Sequence, residues 1–376
     1  MPEIILKNLT KRFGKFVAVN NLNLSIADRD FVTLLGPSGC GKTTTLRMIA
    51  GLETPTEGEI YIGGKLMFSA EKGIDISPDK RDVGFLFQNY ALWPHMTVYN
   101  NIAFGLQNLK WSKDRIEQRV NELLQMLKID EFVKRYPAEL SGGQQQRVAI
   151  ARTLATGSKV LFMDEPLSNL DAKLRMEMRT ELKRLHLKTD STFVYVTHDQ
   201  LEAMTLSTRI CLLKEGHLQQ YEAPLEVYHS PSNMFVADFV GSPNMNFIEG
   251  KANHINPDEI KLECGKLNMI FTPRPAGVTL DRDQSVVMGI RPEYIHLCDH
   301  NEKGKTSGTI YSTLPSGMET VVRIDIDGQL LTCVVFGGVD FEVNEEVQLD
   351  FNSERNIMFD RHTGKNLASG KLDIIQ

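Results

Sequence analysis

The sequence lacks most of what would place it outside a reducing, aqueous compartment. Its five cysteines are scattered and form no C-x-x-C pair, a dispersed odd set that argues against a disulfide framework. No stretch approaches the roughly 18 consecutive apolar residues of a membrane span. Met1-Pro2-Glu3 opens no basic start leading into an apolar core, so no signal peptide is expected. The expected location is the cytoplasm, with any membrane reached through a partner. A basic excess is missing too. Lys and Arg number 42 against 48 Asp and Glu, a net charge of −6, which argues against a general nucleic-acid binder. What remains is ordinary for a globular protein: 376 residues, 41% hydrophobic and 24% charged, long enough for two or three domains with a sizeable core.

The most informative stretch is Gly36-Pro37-Ser38-Gly39-Cys40-Gly41-Lys42-Thr43, which has the phosphate-loop spacing G-x-x-x-x-G-K-[ST]. The three glycines let the backbone turn tightly and bring N–H groups to an anion. Lys42 supplies a cation for terminal phosphates, and Thr43 offers a hydroxyl to magnesium. Phe31–Leu35 reads as a strand before the loop and Lys42–Ala50 as a helix after it, the setting in which a helix N-terminus holds phosphate.

Other polar residues stand where apolar runs end. Phe13-Gly14-Lys15 is a loop between strands, and Phe13 there either stacks on a base or simply packs. Val83–Phe87 reads as a strand ending in Gln88, at an edge where α/β sheets gather ligands; an ordinary strand-end residue is the plainer alternative. Tyr90–Met96 is an apolar loop around Pro94, buried within the chain or against a partner. Residues 113–135 read as a helix with Ile116, Val120, Leu123, Leu124 and Leu127 on one face. Ser141 can cap a helix over 145–154, and Gly142, Gly143 and Gln144 beside it leave bare N–H groups, a second anion site or only a cap. Val160–Met163 ends in Asp164 and Glu165. Adjacent strand residues face opposite ways, so one suits a metal and the other an attacking water. Asp171 stands at the start of a helix with an apolar face through Leu185, and the strand Thr192–Thr197 ends in His198.

In this order, GPSGCGKT, Gln88, LSGGQ, MDEP, SNLD and His198 resemble the ATP-binding subunits of ABC transporters over roughly residues 3–240. The resemblance implies an α/β phosphate-loop NTPase with a RecA-like core, in a domain 1–235 that includes a helical subdomain at about 89–155. It implies ATP and Mg2+ as cofactors. Phe13 would stack on adenine, residues 36–43 with Thr44 would bind phosphates, and Thr43, Gln88 and Asp164 would serve the metal. Glu165 would be the general base and His198 would contact the γ-phosphate. Ser141, Gly142, Gly143 and Gln144 would meet the ATP of an opposite subunit, with Asp171 in the loop beside it. One phosphate loop and one signature imply a homodimer, or a pair with a similar subunit. Two transmembrane permease subunits would be met near Tyr90–Met96, an extracellular solute-binding protein only indirectly, and nucleic acid not at all. The subunit would be peripheral on the inner face of the membrane. Cys40, a thiol beside phosphates, is expected to be sensitive to alkylation.

After Val240 the texture changes. Short runs at 261–264, 285–290, 308–311, 320–326, 330–336 and 346–351 suggest a small all-β barrel or sandwich over 236–376. His296, Asp299 and His300 have no good metal spacing. Gly241-Ser242-Pro243-Asn244-Met245-Asn246-Phe247 and Gly289-Ile290-Arg291-Pro292-Glu293 resemble the C-terminal regulatory domain, built of oligosaccharide-binding-type barrels, of ATPases serving maltose-type carbohydrate importers. The implied function is ATP hydrolysis that energises sugar uptake. Polyamine, iron or other small-solute importers are the alternative. A soluble ABC ATPase is less favoured, because the chain has neither two cassettes nor a long coiled coil. Intact Lys42, Asp164, Glu165 and His198 oppose a vestigial ATPase.

Overall fold

The computed structural model describes residues 3–265, 267–298, 306–337, 341–351 and 353–375. Asp299 and His300 lie outside them. The chain divides into two compact units, Met1–Pro224 and Leu225–Gln376.

The first unit opens with a long antiparallel pair, β1 (Ile4–Phe13) and β2 (Phe16–Ile26), in which Phe13 and Phe16 face each other across a two-residue turn. Then come β3 (Phe31–Leu35), α1 (Lys42–Ala50), β4 (Glu57–Ile62), β5 (Lys65–Ser69), β6 (Ile74–Asp75) and β7 (Val83–Leu86). Three helices follow: α2 (Val98–Asn108), α3 (Lys113–Met126) and α4 (Gly142–Ala155). The unit closes with β8 (Val160–Asp164), α5 (Ala172–Lys188), β9 (Thr192–Val196), α6 (Gln200–Leu206), β10 (Arg209–Lys214) and β11 (His217–Glu222). One sheet runs β2-β1-β4-β5-β6, the other β11-β10-β3-β9-β8-β7. In the second, β10, β3, β9, β8 and β7 are parallel.

The parallel strands are apolar throughout because both faces are covered. Alternation sorts their side chains between two cores. Leu161, Met163, Phe193 and Tyr195 join the core of α2, α3, α4 and α5. Val160, Phe162, Val194 and Val196 join α1 and the antiparallel sheet. The carboxyl ends of β3, β7, β8 and β9 therefore share one edge, where the phosphate loop, Gln88, Asp164, Glu165 and His198 emerge.

The helix expected over 113–135 stops at Met126. Lys128 adopts φ 55°, which breaks the helix, and a single 3-10 turn follows at Asp130–Phe132. Leu127, the residue that caps α3, is still buried. No helix among the described residues is long and apolar enough to cross a membrane.

The second unit starts with two short helices, α7 (Pro224–His229) and α8 (Met234–Phe239). A closed barrel follows, built from β12 (Asn246–Asn256), β13 (Glu259–Cys264), β14 (Leu267–Arg274), β15 (Gln284–Ile290), β21 (Asn356–Asp360) and β22 (Asn366–Ile375). A five-stranded antiparallel sheet completes the unit, from β16 (Ile295–Leu297), β17 (Thr306–Pro315), β18 (Glu319–Ile326), β19 (Gln329–Phe336) and β20 (Glu346–Phe351). The boundary at Pro224 precedes the one expected at 235 for a physical reason. Arg291, only 2% exposed, donates to the carbonyls of Tyr228, Ala237 and Val240, which ties α7 and α8 to the barrel side.

Candidate functional site

The phosphate loop is shaped by glycines in the left-handed region. Gly36, Gly39 and Gly41 have φ of 150°, 79° and 100°. A Cβ on Gly36 would strike the carbonyl of Leu213, and one on Gly41 the carbonyl of Ala18. A Cβ on Gly39 would meet nothing. The loop is thus packed tightly at Gly36 and Gly41 and open at Gly39, beside a cavity. That cavity, about 300 Å³, is lined by Phe13, Phe16, Ala18, Ser38, Gly39, Gly41, Lys42, Thr43, Thr44 and Glu165.

Lys42, 6% exposed, donates to the carbonyls of Gly36 (2.7 Å) and Pro37 (2.9 Å). Its charge is held inside the loop by these neutral carbonyl acceptors. Thr43 Oγ1 donates to Asp164 Oδ1 at 2.9 Å, and Arg47 lies 3.5 Å from the other carboxylate oxygen. Among the described residues no three His, Cys, Asp or Glu side chains gather as a metal cage. One hydroxyl and one carboxylate, both hard oxygen donors, suit Mg2+, which keeps waters and takes the rest of its shell from substrate phosphates.

Cys40, expected to be open to alkylation, lies inside the loop. It is 3% exposed, and burial raises its thiol pKa despite nearby Lys42. A buried neutral thiol is a poor nucleophile. Iodoacetamide at pH 8 should leave Cys40 unmodified in the folded protein, as read by mass spectrometry of its peptide; rapid labelling without unfolding would contradict this.

At the end of β8 the backbone turns sharply. Glu165 has φ 45°, and its N–H donates to the carbonyl of Val196 on β9. A side-chain-bearing residue in that region stores strain that its surroundings must hold. Its carboxylate lies 3.4 Å from His198 Nδ1 and 3.4 Å from Gln88 Nε2, and Gln88 is also 3.4 Å from Ser168 Oγ. Ser168 Oγ donates to the Glu165 carbonyl at 2.9 Å. Three strand ends thus converge on one carboxylate bordering the phosphate-loop cavity, and such a group can accept a proton from, or orient, a water.

Ser141 caps α4 in a reciprocal capping box. Its hydroxyl accepts from the Gln144 N–H (3.4 Å), and Gln144 Oε1 accepts from the Ser141 N–H (2.9 Å). Neither these residues nor Asp171, which caps α5 by accepting from the Leu174 N–H, line the cavity. Ser141 and Gly142 are exposed, whereas Gly143 is buried against Leu174. Tyr90 is buried, with its hydroxyl 3.4 Å from the Pro166 carbonyl, so the 90–96 loop is partly packed within its own chain.

Sequence reading missed Phe16, Arg47 and Ser168. The two aromatics flanking Gly14-Lys15 were a usable signal for Phe16. The other two depend on tertiary neighbours that spacing does not reveal.

The ABC transporter family model matches residues 19–168, the MalK OB fold domain 241–295 and the TOBE domain 288–359. The trehalose/maltose import ATP-binding protein MalK of Thermococcus litoralis is 43% identical, covering 97% of this chain and 99% of its own. The oligosaccharides import ATP-binding protein MsmX of Bacillus subtilis is 41% identical, covering 96% and 99%. The osmoprotective compounds uptake ATP-binding protein GgtA of Synechocystis sp. is 41% identical, covering 96% and 98%. Among solved structures, the dimeric post-hydrolysis ATP-binding cassette MJ0796 bound to ADP and Pi matches with a TM-score of 0.51 and 36% identity, over 59% of this chain and 98% of that one.

Proposed function

Because the chain belongs to the ATP-binding subunits of ABC transporters, we propose that its ATPase energises uptake of mono- and oligosaccharides through two membrane-spanning partners, with Glu165 orienting the attacking water. The observation that carries the chemistry is the convergence of Gln88 and His198 on Glu165 beside Lys42 and Thr43. In this reading the backbone N–H groups of residues 36–43 and the Lys42 ammonium hold the phosphates. Phe13 and Phe16 offer the base an exposed aromatic wall. Thr43, Asp164 and Gln88 would hold Mg2+, which would supply positive charge beside the phosphates. Glu165 accepts the proton of water, and His198 keeps that carboxylate and the γ-phosphate in place.

Ser141–Gln144 complete the site of a second subunit in a head-to-tail pair, a two-fold arrangement in which each surface meets the other's counterpart. The dimeric relative with ADP and Pi supports this. So does Gly142. A Cβ there would meet only Leu170, at 3.6 Å, an ordinary contact. No close neighbour among the described residues demands that glycine, which leaves its bare face to something docking from outside. Gly142→Ala should leave the melting temperature within about 2 °C, since surface changes away from special features are small. ATP turnover should fall at least tenfold. Unchanged turnover would remove the signature from the site.

The sugar reading rests on the MalK and MsmX relatives and the matching C-terminal model. Uptake of osmoprotective compounds is the second reading, favoured by GgtA. The subunit then works on the cytoplasmic face, held there by permeases at Tyr90–Met96. The test reconstitutes the chain with the permease subunits in liposomes and adds a panel of loaded solute-binding proteins. Stimulated ATP hydrolysis with a sugar-loaded protein names the substrate. Stimulation by compatible solutes alone moves the assignment to the second reading.

A further inference from the structure

The chain leaves β7 through Gln88 and enters two successive non-glycine residues in the left-handed region, Tyr90 at φ 59° and Ala91 at φ 45°. Such a pair persists only where neighbours fix it. One side chain on α4 does most of this. Arg152 donates through Nη1 to the Ala91 carbonyl (2.7 Å) and through Nη2 to the Tyr90 carbonyl (2.8 Å). Its guanidinium also lies 4.8 Å from the Trp93 ring centroid, and Trp93 in turn packs on Phe104 of α2 at 4.4 Å. No carboxylate forms an ion pair with Arg152 among the described residues, and burial lowers its pKa. The fork is given over to the loop.

The other side of the loop is equally fixed. Asn101, fully buried on α2, accepts from the Trp93 N–H and donates to the carbonyls of Trp93, Met96 and Thr97. Residues 90–97 are thus bonded on one side to α2 and on the other to α4. Gln88, two residues upstream of Tyr90, has its amide 3.4 Å from Glu165. Ser141 caps α4 eleven residues before Arg152, about 16 Å along the helix axis at 1.5 Å per residue.

We propose that Arg152 is a positioning residue that locks the 90–93 loop to α4, so that a membrane partner pressing on the loop moves Gln88 and the Ser141–Gln144 end of α4 together. The inference rests on the importer reading and adds the element that couples the two ends of the site. Both ends then answer to one displacement, which is the physical requirement for coupling through a rigid element with two arrangements.

The test compares wild type with Arg152→Lys, which keeps the charge but cannot fork two carbonyls, and with Arg152→Gln. Each is assayed alone and reconstituted with the permeases and a loaded binding protein. The proposal expects basal ATP turnover within twofold of wild type, and partner-stimulated turnover lowered about tenfold. It also expects faster amide exchange at Tyr90–Trp93 in both variants. A stimulation ratio equal to wild type in both variants would overturn the inference and leave the importer reading intact. So would a parallel fall of basal and stimulated rates together with the melting temperature, the pattern of a purely structural residue. Absence of any stimulation in wild type would overturn the importer reading and this inference with it.

Discussion

Glu165→Gln should abolish steady-state ATP turnover, lowering it by roughly 10²–10⁴-fold, the range for loss of a positioned general base. The amide has the shape of the carboxylate, so the φ 45° turn and the bond to the Val196 carbonyl are retained. What is lost is the proton acceptor between Gln88 and His198. In the proposed mechanism phosphate binding draws on Lys42 and the loop N–H groups, which the substitution does not touch. Binding should therefore survive while reopening fails, and ATP should hold the two subunits closed. The measurement is single-turnover hydrolysis of labelled ATP alongside size-exclusion chromatography with ATP and Mg2+. A dimer that persists with ATP uncleaved is the expected result. Turnover near the wild-type rate would remove Glu165 from the chemistry and pass the role to Asp164 or His198.

The second large effect concerns stability. Arg291→Met should destabilise the C-terminal unit by on the order of 3 kcal/mol or more, because buried acceptors left unpaired cost about 1–3 kcal/mol each. The guanidinium meets three such acceptors, the carbonyls of Tyr228, Ala237 and Val240, and lies 4.0 Å from the Tyr228 ring centroid. Burial opposes its charge and lowers its pKa, so methionine recovers some desolvation energy but supplies no donor. Calorimetry on the full chain should show the C-terminal transition shifted down by about 6–12 °C, at roughly 2–4 °C per kcal/mol for a unit of this size. A shift under 2 °C would mean that water satisfies those carbonyls.

The parallel core was legible because its strands are buried on both faces and read as unbroken apolar runs ending in polar residues. Local capping was legible for the same kind of reason: Ser141, two glycines and Gln144 define a helix start by themselves. Elements whose pattern is set by tertiary neighbours were not. Helix α2 carries Gly105 and several asparagines, weak helix formers, and is held by Val98, Ile102, Ala103 and Leu106 in the core it shares with α4. Strand β22 holds Ala368-Ser369-Gly370, a poor strand sequence. It forms because Gly370 lies against the Thr272 carbonyl, where any Cβ would collide, as the barrel closes on β14. Strand β14 was hidden by Pro273, a residue that usually demotes a strand. In the candidate site, spacing located the strand-end residues. The Arg152 fork and the Arg47 contact with Asp164 join segments far apart in sequence, which no local pattern encodes.

The boundary at Pro224 bears on how this chain can be cut and recombined. The last strand of the first unit, β11, pairs with β10 at the edge of its sheet. The helices after it contribute carbonyls whose donor, Arg291, lies some fifty residues downstream. A graft that exchanges C-terminal units between relatives should therefore join at 224, where the carbonyls of α7 and α8 stay with Arg291. A joint at 240 would send α7 and α8 to one parent and their arginine to the other, and the hybrid would inherit a mismatch that neither parent had.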